Sequence, residues 1–346
     1  MYYPLYIPEF NIYDICYSID RYVVVRPYGK CCPTHPFQIN LIVELNNEKF
    51  NMVRDDRTEI YTCIQPFTDI INLKINGKDY DNLQVSKYPN LLGEVIMTTM
   101  AKKEDSYMVQ WIRYNLKIGF TKVVIYDNKE SKKTRYQSKE KKSNLQQLLK
   151  NFIEDGTVIL INWKYPKNNC INGQTTQQNH ALYNFKNAKY IAFFDIDEYI
   201  NVTNFDDNIV NTMNKILANY SACKICCKFF QNPNNLSDTD YNFLKIDTYI
   251  VGGTPGFKLG KRGEIEYGAK IIVNPADVKL MRVHALSLHN KKKMITIKSK
   301  EFDSLYFNHY HFLNKLGRGK HKTTLTDDSL SKYYHYLGGD STDTSN

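Results

Sequence analysis

The sequence predicts an α/β protein built on a mostly parallel sheet, with a smaller β-rich region ahead of it. Three observations carry this. From Leu91 onward, short apolar strand-like runs alternate with amphipathic helical segments. Two of those helical segments stop on glycines, and the last strand of the series runs directly into a pair of carboxylates. A β-α-β-α-β-α-β order requires right-handed crossovers and places ligands beyond the carboxyl ends of the strands.

Residues 1–90 contain short β-branched runs, at 22–26, 37–45 and 70–75, separated by the turn signals Asn46-Asn47 and Asn76-Gly77. They hold no catalytic constellation and read as a sandwich-like accessory domain, with 85–90 as linker. Residues 94–100 read as a strand. The segment 104–117 reads as a helix, with Met108, Trp111, Ile112 and Leu116 on one face and Gly119 as its stop. A strand at 121–126 runs into a lysine-rich stretch. Leu145, Leu148, Leu149, Phe152 and Ile153 mark the next helix, closed by Gly156. A strand at 157–163, a helix at 177–187 and a strand at 190–194 complete the series. The expected domains are 1–90, 91–330 and a C-terminal tail, 331–346, polar from Gly338 onward.

The strand at 190–194 delivers Asp195-Ile-Asp197-Glu198. Carboxylates spaced i, i+2 on a strand share one face and repel each other unless a cation sits between them. Asp195 and Asp197 are therefore candidate ligands for Mg or Mn, whose preference is for hard oxygens. A capped strand end with solvated acids is the plain alternative. Asp127 and Asn128 end another parallel strand and are expected to line the same cleft. No Gly-x-Gly-x-x-Gly follows any strand, and Gly317-Arg-Gly-Lys-His lacks the spacing and the Ser/Thr of a P-loop. Glycine-cradled dinucleotide and ATP sites are thus disfavoured, and a metal bridging two phosphates would take their place.

A chain of 346 residues, 42% of them hydrophobic, has ample material for a core. No apolar run reaches roughly eighteen residues, and Met1-Tyr-Tyr-Pro-Leu-Tyr-Ile-Pro is no signal peptide. The eight cysteines include the adjacent pairs Cys31-Cys32 and Cys226-Cys227, which suit a reducing compartment. A cytoplasmic location is the expectation. Cys223-Lys-Ile-Cys226-Cys227 has zinc-like spacing without a second ligand pair and reads as buried strand cysteines; Cys31-Cys32-Pro-Thr-His35 is as weak a metal motif. Much of the net charge of +10 lies in 129–142. That run reads as a solvated loop, with attraction to an anionic partner as the alternative.

Six segments now appear in a recognisable order: Trp111-Ile-Arg-Tyr-Asn-Leu-Lys-Ile-Gly119 preceded by an acid; Val124-Ile-Tyr-Asp127-Asn128; Gln178-Asn-His-Ala181 before Phe194-Asp-Ile-Asp-Glu198; Gly268-Ala-Lys270-Ile-Ile-Val-Asn-Pro275; Val283-His284; and Asn308-His309-Tyr310. Together they resemble glycosyltransferase family 92 over residues 94–322. The resemblance implies a GT-A fold, a nucleotide-sugar donor, a divalent cation (Mn or Mg) and inversion at the anomeric carbon, with UDP-galactose the favoured donor by analogy. It also implies a glycan or glycoprotein acceptor. No nucleic-acid partner is expected, the family's animal-type membrane anchor is missing, and self-association into a homo-oligomer is left open. The lysine-rich run replaces the usual stretch after Asn128, and 312–319 lacks the family's Lys-Ser-x-Glu-Glu-Phe.

By that resemblance and the strand geometry, Asp197 ligates the metal and Asp195 holds the ribose or the metal. Asp127 and Asn128 contact uracil or ribose, or cap a loop. Glu104 is a nucleoside contact or a helix-start acid, and Gln178 faces the donor or solvent. Lys270 matches the family lysine and is assigned to the diphosphate. His284 is assigned to the metal shell and His309 to the donor diphosphate. The base that deprotonates the acceptor should be a carboxylate between the Asp-x-Asp and the last metal ligand; Glu266, Glu264, Asp240 and Asp238 all qualify. Two other classes compete. A metal-dependent phosphoryl transferase or nuclease needs further acids for a second metal. A non-catalytic nucleic-acid binder would show steep salt dependence and indifference to Asp197.

Overall fold

The structure, a computed structural model, describes residues 1–28, 40–55, 57–101, 105–128, 144–163, 172–202, 206–230, 244, 248–251, 265–289, 292–297, 305–310 and 323–337. The chain forms two compact units. The first comprises Met1–Lys103, Lys122–Ile191 and Val273–Lys292; the second comprises Glu104–Thr121, Ala192–Ile272 and Lys293–Asn346.

In the first unit, strands Val95–Ala101, Lys122–Asp127 and Val158–Asn162 pair in parallel, with Thr98 opposite Val124 and Val124 opposite Ile159. Apart from Met100 and Lys122 their residues are all buried, as near-continuous apolar runs in a parallel sheet require. Each lies within a residue of its expected position. The N-terminal region forms antiparallel sheets: Arg21–Pro27 lies between Asp14–Ser18 and Thr58–Ile64, and Ile70–Ile75 lies between Val43–Leu45 and Lys78–Gln84. The predicted turns exist. Asn46 and Asn47 have φ of +52° and +66°, and Asn76 and Gly77 have +49° and +82°, the left-handed pairs that tight hairpins demand. Ile15, Tyr22, Val24, Leu73 and Ile75 share one core cluster.

Two helices differ from expectation. The segment around 145–153 is two short pieces, Leu145–Leu148 and Lys150–Glu154, before Gly156 at φ +74°. The helix expected at 177–187 spans Asn172–Asn184. Its first turns carry Thr175, Thr176 and Gln177, which are buried but polar, so no apolar period announces them. Tertiary hydrogen bonds take the place of that apolar stripe: Asn179 Nδ2 donates to Met281 O at 2.8 Å, and Met281 N donates to Asn179 Oδ1 at 2.8 Å.

In the second unit, helix Asp105–Lys117 buries Met108, Trp111 and Ile112 and is followed by Gly119 at φ +109°. Its strands run in the order Ile265–Val273, Ala222–Phe229, Tyr306–His309, Glu198–Asn201, with Met294–Thr296 beside Ala222–Phe229. Tyr306–His309 is antiparallel to Glu198–Asn201 and parallel to Ala222–Phe229. The protein is therefore mixed α/β: the first unit holds the three parallel strands together with the antiparallel N-terminal sheets, and the second unit is mixed. No helix among the described residues is long and apolar enough to cross a membrane, which has no bearing on membrane β-barrels.

Candidate active site

The Tyr190–Phe193 strand ends before the acids begin. Residues 195–198 form a tight turn. Glu198 N donates to Asp195 O at 3.1 Å, and the Glu198 carboxylate returns to accept from Asp195 N at 2.9 Å. Asp195 and Asp197 are thus placed by this turn, and not by the strand alternation that their spacing suggested. Glu198 then opens the Glu198–Asn201 strand directly opposite His309. Tyr310 N donates to Asp197 O at 2.8 Å, and Trp111 Nε1 donates to Glu198 O at 2.9 Å. The turn is fixed from both sides.

Four charged partners surround Glu198. Lys270 Nζ lies 2.6 Å from Asp195 Oδ2 and 3.2 Å from Glu198 Oε2, with only 3% of the lysine side chain and 1% of the glutamate exposed. His309 Nε2 is 3.5 Å from Asp197 Oδ2, and its Nδ1 is 3.7 Å from Glu198 Oε1. Asp195 and Asp197 are the partly exposed members, at 42% and 24%. The Cys227 thiol, on the neighbouring strand, is among the groups that favour the charged His309 imidazole.

Burial pushes the Glu198 carboxyl up to about 7; Asp195 and Asp197 add to the rise, while Lys270 and His309 oppose it. For Lys270 burial alone would disfavour the ammonium, yet Asp195 and Glu198 outweigh it and raise its pKa. His309 follows the same logic: burial opposes its charge, Asp197 leads the groups that overcome it, and the imidazole rises well above its usual value.

One ligand atom each from Asp197, Glu198 and His309 fall within 4.8 Å of one another. Glu198 Oε1 is buried and accepts no hydrogen bond. One imidazole and two carboxylates, one of them with an orphaned buried oxygen, fit Mn or Mg. Burial raises the Glu198 carboxyl and Asp197 raises the His309 imidazole, so a cation bound here would compete with protons, and Mn affinity should climb as pH rises from about 6 to 8. Binding should release protons over that window, which calorimetry in two buffers of unlike ionisation enthalpy would register. Affinity that is flat across it would remove both residues from the metal shell.

Of the residues singled out from the sequence, the structure brings together Asp195, Asp197, Lys270 and His309. Lys270 lies inside strand Ile265–Val273, its ammonium turned to carboxylates. Asp127 and Asn128 are buried at the end of Lys122–Asp127 in the first unit, with Asn128 N donating to Ala101 O at 2.9 Å. Gln178 is a buried residue of helix Asn172–Asn184 in the same unit. His284 is an exposed residue of the turn between Val278–Arg282 and Ala285–Leu288, also in the first unit. Glu104, Asp238, Asp240, Glu264, the run 129–142 and Cys31, Cys32 and His35 lie outside the described residues. Glu266 belongs to strand Ile265–Val273, but its side chain is outside the described part. Cys223, Cys226 and Cys227 are buried strand residues, as expected.

Sequence reasoning missed Glu198 and Cys227. Three acids within four residues of an apolar strand was a signal for Glu198, but strand alternation aimed it to the opposite face from Asp197. For Cys227 no local signal existed, since its contact with His309 depends on long-range pairing.

The family model described as Glycosyltransferase family 92 matches residues 95–335. No curated protein matches. Among solved structures, the apo structure of the bifunctional glycosyltransferase WbbM is similar at 10% identity and a TM-score of 0.30, over 59% of this chain and 35% of that one. This chain therefore spans about a third of that protein's length. Mannose-6-phosphate isomerase from Helicobacter pylori is similar at 12% identity and a TM-score of 0.28, over 67% of this chain and 96% of that one. Superpositions this weak leave fold and chemistry to be argued from the chain's own residues. The family match spans the Asp195–Glu198 turn, Lys270 and His309 alike, and on it the chain belongs to glycosyltransferase family 92.

Proposed function

We propose that the protein is an inverting, metal-dependent glycosyltransferase of GT-A type. It would move a hexose, galactose by preference, from a UDP-sugar to a hydroxyl of a glycan or glycoconjugate. Residues 91–330 would carry the chemistry, with 1–90 as accessory domain. The observation that carries this reading is the cluster of Asp197, Glu198 and His309 beside the Lys270–Asp195 pair, within the family match.

Asp197 and His309, with Glu198 Oε1, would hold Mn or Mg, which when bound neutralises the leaving diphosphate. This moves the metal-ligand role from His284 to His309, on the 3.5 Å approach of its ring to Asp197. Asp195, partly exposed at the turn, would orient the ribose. Asp127, Asn128, Gln178 and Glu104 remain the proposed nucleoside contacts, and a carboxylate among Glu266, Glu264 and Asp240 remains the proposed base. Transfer also needs the acceptor oxygen held in line with the anomeric carbon, and positioning of that kind accounts for much of the barrier lowering in such reactions. The nuclease reading would require a second metal; Lys270 Nζ already sits between Asp195 and Glu198, where a second cation would bind.

A thermal-shift panel tests the reading. UDP and UDP-galactose should stabilise the chain with Mn present and not in excess chelator, and purine nucleotides should not substitute. Equal stabilisation by UDP with and without metal would count against the metal bridge. Stabilisation by every nucleotide alike would count against the donor class.

A further inference from the structure

Strand Asp14–Ser18 and helix Asn172–Asn184, both in the first unit, bring four polar side chains into a place with no solvent. Asp14 and Cys16, spaced i, i+2, share one face of their strand. His180 and Asn184, spaced i, i+4, share one face of their helix. Asp14, Cys16 and His180 are 0% exposed and Asn184 is 1% exposed.

His180 Nε2 lies 2.8 Å from Asp14 Oδ2 and 4.0 Å from Cys16 Sγ, and Asn184 Oδ1 lies 3.2 Å from Cys16 Sγ. The ligand atoms of Asp14, Cys16 and His180 all fall within 4.8 Å of one another. A point equidistant from three atoms so spaced is roughly 2.0–2.4 Å from each, the range of zinc bonds to nitrogen, oxygen and sulfur.

The surroundings orient these donors. Tyr126 OH meets His180 Nδ1 at 2.8 Å, the outer hydrogen bond that fixes tautomer and ring plane in metal-bound histidines. Tyr88 OH donates to Asp14 Oδ2 at 3.0 Å, and Leu5 N donates to Asp14 Oδ1 at 2.7 Å. Charge points the same way. A carboxylate with no exposed surface needs compensation, and among the described residues His180 is the one basic group paired with Asp14. A divalent ion bound to the Asp14 carboxylate and the Cys16 thiolate is electrically balanced, the thiol proton leaving to solvent as the metal–sulfur bond forms.

We propose that Asp14, Cys16 and His180, with Asn184 Oδ1 as fourth donor, form a structural zinc site. One sulfur, one imidazole nitrogen and two oxygens select zinc over Mg or Mn. Four protein donors and no solvent give it no open position for chemistry. This site is independent of the glycosyl-transfer reading.

The test uses the full chain, expressed in zinc-replete medium and exchanged into chelator-treated buffer. Metal analysis should find about one zinc per chain, with an X-ray absorption shell of one sulfur and three nitrogen or oxygen atoms. Cobalt in its place should give thiolate-to-metal charge-transfer absorption. That band should persist in His309→Ala and in a Cys31→Ser, Cys32→Ser double variant, and vanish in Cys16→Ser. A zinc-free chain overturns the proposal and leaves the four side chains a closed hydrogen-bond network. So does a band that survives Cys16→Ser. Should Cys16→Ser fail to fold, the absorption shell of the unaltered chain decides: a shell without sulfur overturns the site.

Discussion

Asp197→Asn is expected to abolish the metal-dependent stabilisation by UDP and to lower transfer activity on the order of 10²–10³-fold, about 3–4 kcal/mol of lost transition-state stabilisation. The substitution keeps the side-chain volume and removes only the charge. Asp197 is 24% exposed and faces His309 Nε2 at 3.5 Å, so the apo fold should lose no more than about 1 kcal/mol. Calorimetry with Mn alone separates the cases: on the proposed ligand roles its signal should vanish in Asp197→Asn and weaken at least about tenfold in His309→Ala. His284→Ala should leave Mn binding intact. If Mn binding instead survives in His309→Ala and fails in His284→Ala, the metal ligand is His284 and the two roles must be exchanged.

How far the sequence was legible depended on whether its signals were local. The parallel strands of the first unit were readable because their apolar runs and the glycines at 119 and 156 need no partner to be interpreted. The Asn46-Asn47 and Asn76-Gly77 turns were readable because positive φ restricts residue choice. The start of helix Asn172–Asn184 was not, since its buried face is Thr, Gln, Asn and His, satisfied by contacts such as Asn179 with the Met281 backbone. The site divides in the same way. Asp195, Asp197, Lys270 and His309 were found from motif order. The reason they converge, an antiparallel pairing that sets Glu198 against His309 across more than a hundred residues of chain, is a property of topology. The same topology gives the Lys270 ammonium its neighbours, two carboxylates that the motif around the lysine does not announce.

That arrangement sets the second large expectation. Lys270→Met should destabilise the fold by about 3–5 kcal/mol at alkaline pH, because it leaves a buried carboxylate without its countercharge. The loss should shrink as pH falls. Lys270 is among the groups that hold the Glu198 carboxyl down against burial, so its removal lifts Glu198 further above the value of about 7. Below that region Glu198 is protonated in the folded variant and no buried charge is left uncompensated; Asp195, the other partner of Lys270, is 42% exposed and solvated. Above it, ionisation of Glu198 costs the variant more than the parent, and the gap between them widens. The direction follows from linkage: a carboxyl whose folded pKa exceeds its unfolded value binds protons more tightly when folded, so stability falls as pH rises through that pKa. Thermal unfolding of parent and variant at pH 5.5, 7 and 8.5 would show the gap opening. A gap of equal size at all three would mean that Lys270 acts through packing of its stem, and that Glu198 carries no charge in the parent site.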